Sequence, residues 1–328
     1  IVEKIVDLGL PIKLGAFAKT QEEIEIATRI GLWGVTILVS VSESRIERAE
    51  DRANVIEKIR QLTSLAKDEG LYTIFMPMSS TNTRPEFLKE VILAVQENCD
   101  ELCIADSRGS VSPFGYRYLI EHVGSYTTLP LSTHIHNHSS MAMANALGAV
   151  LGGASVLQTC VNGVGENSGI LPLEEVAVAL PMHLGVSTGI KLEGLKGLSD
   201  FVASALGIPI SIHKPVVGDY TFAIPEVFFD RSYKDRKEGG YLDGTHPYPP
   251  ELVGNKEYVP LGRKCNDYIV RYHLGIRGWT ASPSTIQAIV EAVRSRASEA
   301  KGYYLMEESD FMKMVQKKGF ELIPILEK

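Results

Sequence analysis

Through the first 180 residues, apolar positions follow two alternating rhythms. Short β-rich runs appear as PIKLGAFAK (11–19), GVTILVSV (34–41), LYTIFMPM (71–78), ELCIADS (101–107), LSTHIHNH (131–138) and SVLQTCVNG (155–163). Their starts lie 23 to 37 residues apart, the length of a strand–loop–helix–loop unit. The stretches between them carry helix punctuation. Thr20 and Glu23 form a capping box ahead of Ile24, Ala27 and Ile30, and Gly31 ends that helix. Ser44 and Glu47 read as a second box, opening a charged helix that stops near Gly70. Pro85 sits where a first helical turn tolerates proline. Ser139 and Ser140 are candidate caps for the small-residue helix MAMANALGAVLGG.

Repeated βα units predict an α/β fold with a parallel sheet and helices outside it. Six strands would complete a doubly wound sheet, whereas a (β/α)8 barrel needs two more, and the pattern alone leaves both open. The rhythm ends near residue 185. GIKLEGLKGLSDFVASALG reads as helix, and residues 214–262 are irregular and rich in Pro, Gly and Tyr. Helix returns over 282–319, with an apolar stripe through Ile286, Ile289, Val290 and Val293. The expected division is therefore 1–185, a loop-rich linker subdomain over 186–275, and a helical subdomain over 276–328.

Composition narrows the class. The chain has 328 residues, 45% hydrophobic and 22% charged, with a net charge of −7. That balance fits a globular enzyme and argues against nucleic-acid or anionic-membrane binding. No apolar run is long enough to span a bilayer, and no secretory signal is visible. Cys99, Cys103, Cys160 and Cys265 show no CxxC pairing and read as reduced thiols of a cytoplasmic protein. The first residue is Ile1, inside an apparent helix, IVEKIVDLG, so a preceding stretch is expected.

The strongest chemical signal is THIHNHSS. Three of the eight histidines, His134, His136 and His138, occupy alternate positions at the C-terminal end of a strand. Alternate strand residues share a face. Two imidazoles spaced this way can chelate one divalent cation, with Zn, Mg and Mn all open. The competing reading is a set of histidines satisfied by hydrogen bonds. Asp106 and Ser107 end the preceding strand, where they suit a strand-to-helix turn with the serine as cap.

The segment HIHNHSSMAMANALGAVLGGASVLQTCVNGVGENSGILPLEEV resembles the signature of the 2-isopropylmalate, citramalate and homocitrate synthase family, whose wider group includes the hydroxymethylglutaryl-CoA lyases. That signature reads HxHND, a helix containing AN, then NGxGER and GN. ADSRGSVSP resembles the family's DTxGxxxP, and KPVVGDYTF and PELVGNKEYVPLG resemble its downstream segments. The resemblance is strong over 101–175 and weaker but collinear over 214–262.

The resemblance implies a TIM (β/α)8 barrel followed by helical subdomains, in a homodimer. The six strands would be strands three to eight, with about 60 residues before them carrying the first two strands and an acidic metal ligand. It implies His134 and His136 as ligands of a divalent metal (Mg, Mn or Zn). Asp106, Ser107, Asn137 and Asn162 are implied as substrate-binding residues. The implied reaction is a Claisen condensation of acetyl-CoA with a small 2-oxo acid, an acyl-CoA:2-oxo-acid C-acyltransferase. A lyase or aldolase of the hydroxymethylglutaryl-CoA lyase-like group, or a non-catalytic metal- and ligand-binding relative, are the alternatives.

Several positions depart from the family pattern. His138 replaces the acid of HxHND, Asn167 the arginine of NGxGER, and Ile170 the asparagine of GN. Met78 stands where a glutamate is usual, and Ile74 where homocitrate synthases carry an arginine. Phe229 stands where the helical region keeps a histidine. The candidates for the displaced proton chemistry are His138, Glu166, Asp230 and His246, the last also readable as an exposed loop histidine.

Overall fold

The computed structural model describes residues 1–42, 46, 49–224, 246–300 and 306–325. The chain divides into two compact units, Ile1–Gly189 and Ile190–Lys328.

The first unit is built on six strands, β1 (Gly15–Ala18), β2 (Gly34–Ser40), β3 (Tyr72–Met78), β4 (Glu101–Asp106), β5 (Leu131–Ile135) and β6 (Val156–Leu157). All neighbours pair in parallel, in the order β1-β2-β3-β4-β5-β6. This order decides between the two architectures the pattern left open. A doubly wound sheet reverses its strand order at a switch point, whereas a barrel adds each strand beside the last. The strands alternate with helices α1 (Val2–Val6), α2 (Gln21–Arg29), α3 (Ala49–Asp68), α4 (Pro85–Val95), α5 (Pro113–Gly124), α6 (Ala142–Leu151) and α7 (Leu173–Ala179).

Strand alternation sorts the side chains into two layers. Val35, Ile37 and Val39 of β2, Phe75 of β3, Leu102 and Ile104 of β4 and Ile135 of β5 join the helices in the main core. The opposite face carries Leu38, Ile74, Met76, Cys103 and Ala105, a separate small cluster. Met76, with Met78 two residues on, is thus part of the inner wall of the sheet.

Local chemistry sets the helix ends. The Thr20–Glu23 capping box forms as the sequence indicates, and Gly31 takes the left-handed conformation that follows the helix. Pro85 and Pro113 occupy first turns. The small residues of α6 answer to close packing on α5. A Cβ on Gly148 would lie 2.7 Å from the Pro113 carbonyl oxygen, and one on Gly152 2.8 Å from that of Arg117.

Three sequence expectations need correction. The β-rich run over 155–163 yields only Val156–Leu157, because Asn162 and Gly163 adopt positive φ and turn the chain into a 3-10 segment. The run over 131–138 stops at Ile135, so His136 and His138 lie beyond the strand. Ser139 and Ser140 do not cap α6, because Asn137 Oδ1 accepts from the Ala142 amide at 3.2 Å instead. The Ser44–Glu47 box lies outside the described residues.

The second unit holds the helices Leu195–Leu206, Asp267–Gly275, Pro283–Glu299 and Glu308–Lys317. Asn266 and Ser282 cap two of them through the Ile269 and Thr285 amides. Ile286, Ile289, Val290 and Val293, the predicted stripe, pack with Ile269, Val270, Leu274 and Phe311 in one core. Among the described residues no helix is long and apolar enough to cross a membrane.

Candidate active site

The site grows from the C-terminal end of β5. Register places Ser132 beside Cys103 and His134 beside Ala105, so His134 stands on the inner face with the small cluster. Past Ile135 the backbone leaves the ladder but stays tied down. The His136 amide donates to the Asp106 carbonyl at 3.3 Å, and the Asn137 amide to that of Gly169 at 3.0 Å. The three imidazoles remain neighbours, with ring centroids 5.2 Å apart for His134–His136 and 6.0 Å for His136–His138. His134 and His136 are half-buried and His138 is exposed.

The two inner imidazoles differ in their partners. His134 Nδ1 lies 2.9 Å from Gln158 Oε1. His136 Nδ1 is buried and has no hydrogen-bond partner among the described residues. Burial first, then the neighbouring His134 and His138 rings, lower the His136 pKa, while the Glu166 and Asp106 carboxylates oppose the shift. The neutral imidazole this favours is the form that binds a metal. Among the described residues no three His, Cys, Asp or Glu side chains converge on a metal-holding geometry.

Asp106 is fully buried at the end of β4. Its Oδ1 accepts from Thr81 Oγ1 at 2.9 Å and from the Ser110 amide at 3.3 Å, and its Oδ2 from Asn145 Nδ2 at 3.4 Å. A carboxylate so buried and so fully partnered acts as a hub for the loop, not as a group offered to solvent. Ser107 Oγ accepts from the Ser79 amide at 3.0 Å, joining the ends of β3 and β4. Neither residue caps α5, whose cap is Ser112.

The other candidates fall in three groups. Asn137 caps α6, as above. Asn162 holds a left-handed conformation, and its amide donates to Glu174 Oε2 at 3.0 Å. Glu166 is exposed on the turn closed by the Gly169 amide, close enough to act on the His136 pKa. His246 belongs to the second unit. There it is half-buried, not exposed, with its ring 5.4 Å from that of Phe222, and burial lowers its pKa. Asp230 lies outside the described residues, as does Phe229.

The structure adds Gln158, Thr81 and Asn145, which the sequence reading did not single out. Asn145 lies in the AN pair of the small-residue helix, a usable signal. Gln158 falls one βα unit after His134, the spacing of in-register neighbours on adjacent parallel strands.

Comparison with known proteins agrees with this architecture. Residues 1–202 match the HMGL-like family model. The chain is 27% identical over 335 residues to the (R)-citramalate synthase of Methanocaldococcus jannaschii, covering 98% of this chain and 65% of that one. It is 27% identical to the 2-isopropylmalate synthase of Saccharolobus solfataricus, covering 87% of this chain and 74% of that one. It is also 27% identical to a homocitrate synthase of Methanothermobacter thermautotrophicus, covering 94% and 78%. The chain spans 58 to 65% of the length of several curated relatives it matches. Among solved structures, the HMG-CoA lyase of Bacillus subtilis superposes with a TM-score of 0.55 at 20% identity, covering 61% of this chain and 72% of that one. The hydroxymethylglutaryl-CoA lyase of Pseudomonas aeruginosa gives 0.53 at 22% identity, covering 60% and 71%. These likenesses carry the fold, and the sequential parallel sheet is of the (β/α)8-barrel type. With a family match over well more than half its length, the chain belongs to the HMGL-like family.

Proposed function

We propose that the protein is a metal-dependent acyl-CoA:2-oxo-acid C-acyltransferase that condenses acetyl-CoA with a small or apolar 2-oxo acid. The observation that carries the reading is the His134–His136 pair, standing beside an apolar inner wall of Leu38, Ile74 and Met76. An unclaimed buried nitrogen on His136, in an environment that favours neutral imidazole, fits a divalent cation such as Mg, Mn or Zn. His134 and His136 would hold it. When bound, such a cation supplies Lewis acidity to a 2-oxo acid's carbonyl.

The rest of the chemistry falls to the chain's own groups. Ile74 and Met76 offer no partner to a distal carboxylate, so they select against 2-oxoglutarate and for a short or branched apolar acceptor. His138, exposed beside His136, takes a proton from the acetyl-CoA methyl group on a ring nitrogen. The enolate carbon then bonds to the 2-oxo carbon as the carbonyl π bond breaks, the oxygen takes up a proton and stays on the product as a hydroxyl, and water cleaves the thioester to a carboxylate, releasing CoA. Glu166, whose charge acts on His136, is the second candidate for proton handling. Asn137 and Ser107 line the strand ends where the acceptor would sit.

The test is direct. The protein, with Mg, Mn or Zn supplied in turn, is incubated with acetyl-CoA and pyruvate, 2-oxoisovalerate or 2-oxoglutarate, and free CoA is followed. CoA release with pyruvate or 2-oxoisovalerate, lost in a His134→Ala, His136→Ala variant, is the expected result. No release with any pair, and no metal in calorimetric titration, overturns the acyltransferase reading. Tight 2-oxoglutarate binding without pyruvate binding overturns the acceptor class.

A further inference from the structure

We propose that Gln158 is a positioning residue, which holds His134 in the tautomer whose lone pair lies on Nε2. The inference deepens the reading above and rests on it for its functional meaning, though its structural claim stands separately. Register pairs Ser132 with Val156 and Thr133 with Leu157, so Gln158 is the residue that falls beside His134. Both then project from the same face of the sheet. Although β6 ends at Leu157, Gln158 does not drift. Its amide donates to the Thr133 carbonyl at 3.0 Å, and two residues on the Cys160 amide donates to that of Leu171 at 3.0 Å. The segment is anchored on both sides of the side chain that matters.

The contact itself joins His134 Nδ1 to the amide oxygen of Gln158 at 2.9 Å. An amide oxygen only accepts, so Nδ1 carries the hydrogen and Nε2 is left as the acceptor or ligand nitrogen. One neutral hydrogen bond biases the two tautomers by up to about 10-fold. Metal-binding histidines are commonly fixed in this way, by an acceptor on the nitrogen that does not bind. Gln158 is neutral where a carboxylate would add negative charge. It therefore orients the ring through a neutral hydrogen bond.

The experiment reads the tautomer and the metal separately. In 15N-labelled, metal-free full chain, long-range 1H–15N correlation assigns the protonated nitrogen of His134. Mn2+ binding is measured by calorimetry on wild type, Gln158→Leu and Gln158→Glu. The expected wild-type ring is protonated at Nδ1. Gln158→Leu loses that bias and weakens Mn2+ binding by up to about 10-fold, while Gln158→Glu keeps the tautomer and binds Mn2+ at least as tightly. A wild-type ring protonated at Nε2 overturns the proposal without any variant. So does a Gln158→Leu protein, folded by circular dichroism, with tautomer and affinity unchanged. If wild type binds no Mn2+ but its tautomer depends on Gln158, the positioning role holds and only the metal reading falls.

Discussion

Gly109 offers the sharpest probe of how the histidine segment is held. It sits in the loop after β4 with φ of +54°, a conformation that costs a residue with a Cβ about 1 kcal/mol or more. Strain is not its only demand. A Cβ there would lie 2.5 Å from the His136 carbonyl oxygen and 2.8 Å from the His138 amide nitrogen. Both are backbone atoms, so no rotamer change relieves the contact. Overpacking against fixed atoms adds about 1–3 kcal/mol. Gly109→Ala is thus expected to cost about 3 kcal/mol in total, near 10 °C in Tm at about 2–4 °C per kcal/mol for a unit of this size.

Gly70 supplies the control. It has φ of +74° and nothing within 4 Å of a built Cβ, so Gly70→Ala carries the strain alone, about 1 kcal/mol or roughly 3 °C. Thermal unfolding of both variants by far-ultraviolet circular dichroism separates the two contributions. Mn2+ titration should weaken in Gly109→Ala and stay unchanged in Gly70→Ala. Equal Tm losses for the two variants would refute the reasoning, because the loop would then have room that the close approach denies.

Further perturbations test other links. Asn145→Ala removes a donor from the buried Asp106 carboxylate and from the Val111 carbonyl, which should cost about 1–3 kcal/mol in urea unfolding; less than about 0.5 kcal/mol would deny Asp106 its hub role. Burial, the largest cause, holds the His273 pKa below its ordinary value, so the unfolded chain binds protons first as pH falls. Its contribution is complete above the unfolded value of about 6.5 and is lost below it, so Tm should fall between pH 7 and 5. A His273→Gln variant should show a shallower slope, and an unchanged slope would count against the burial argument. Burial also pushes the Cys99 and Cys103 thiols up to about 12. A thiol reagent at pH 8 should therefore label the half-buried Cys160 first in the native protein, and early labelling of Cys103 would contradict its place in the inner wall.

How much of this was legible beforehand depends on the range of each interaction. The six strands and the Thr20–Glu23 cap were readable because periodicity and capping are local. The choice between barrel and doubly wound sheet was not, since strand order is a property of pairing across the chain. The length of β6 misled for a conformational reason. CVNG has the composition of a strand, but Asn162 and Gly163 take positive φ. The α6 cap misled because Ser140 itself turns left-handed, which leaves Asn137 to reach the Ala142 amide. The histidine pair was visible in the spacing, whereas Gln158 and Thr81 act across strand boundaries that no local pattern reports.

The hydrogen bonds around the site argue for a division of labour within it. Ser79 to Ser107, Thr81 to Asp106, Asp106 to His136 and Ser139 to Gly109 link the ends of β3, β4 and β5 into one network. His134 lies on a strand inside that network, and His136 is the first residue beyond the strand, tied to it through its own amide. His138 and Glu166 lie on exposed turns. A ligand pair must keep its geometry to within a fraction of an ångström, which rigid elements supply and loops do not. Proton-handling groups tolerate more movement and gain from reaching solvent. On the proposed reading, replacements at His138 or Glu166 would therefore redirect the acid–base chemistry while leaving the His134–His136 pair intact. Any loss in the Asp106 network, by contrast, moves the pair itself and should reduce binding and stability together.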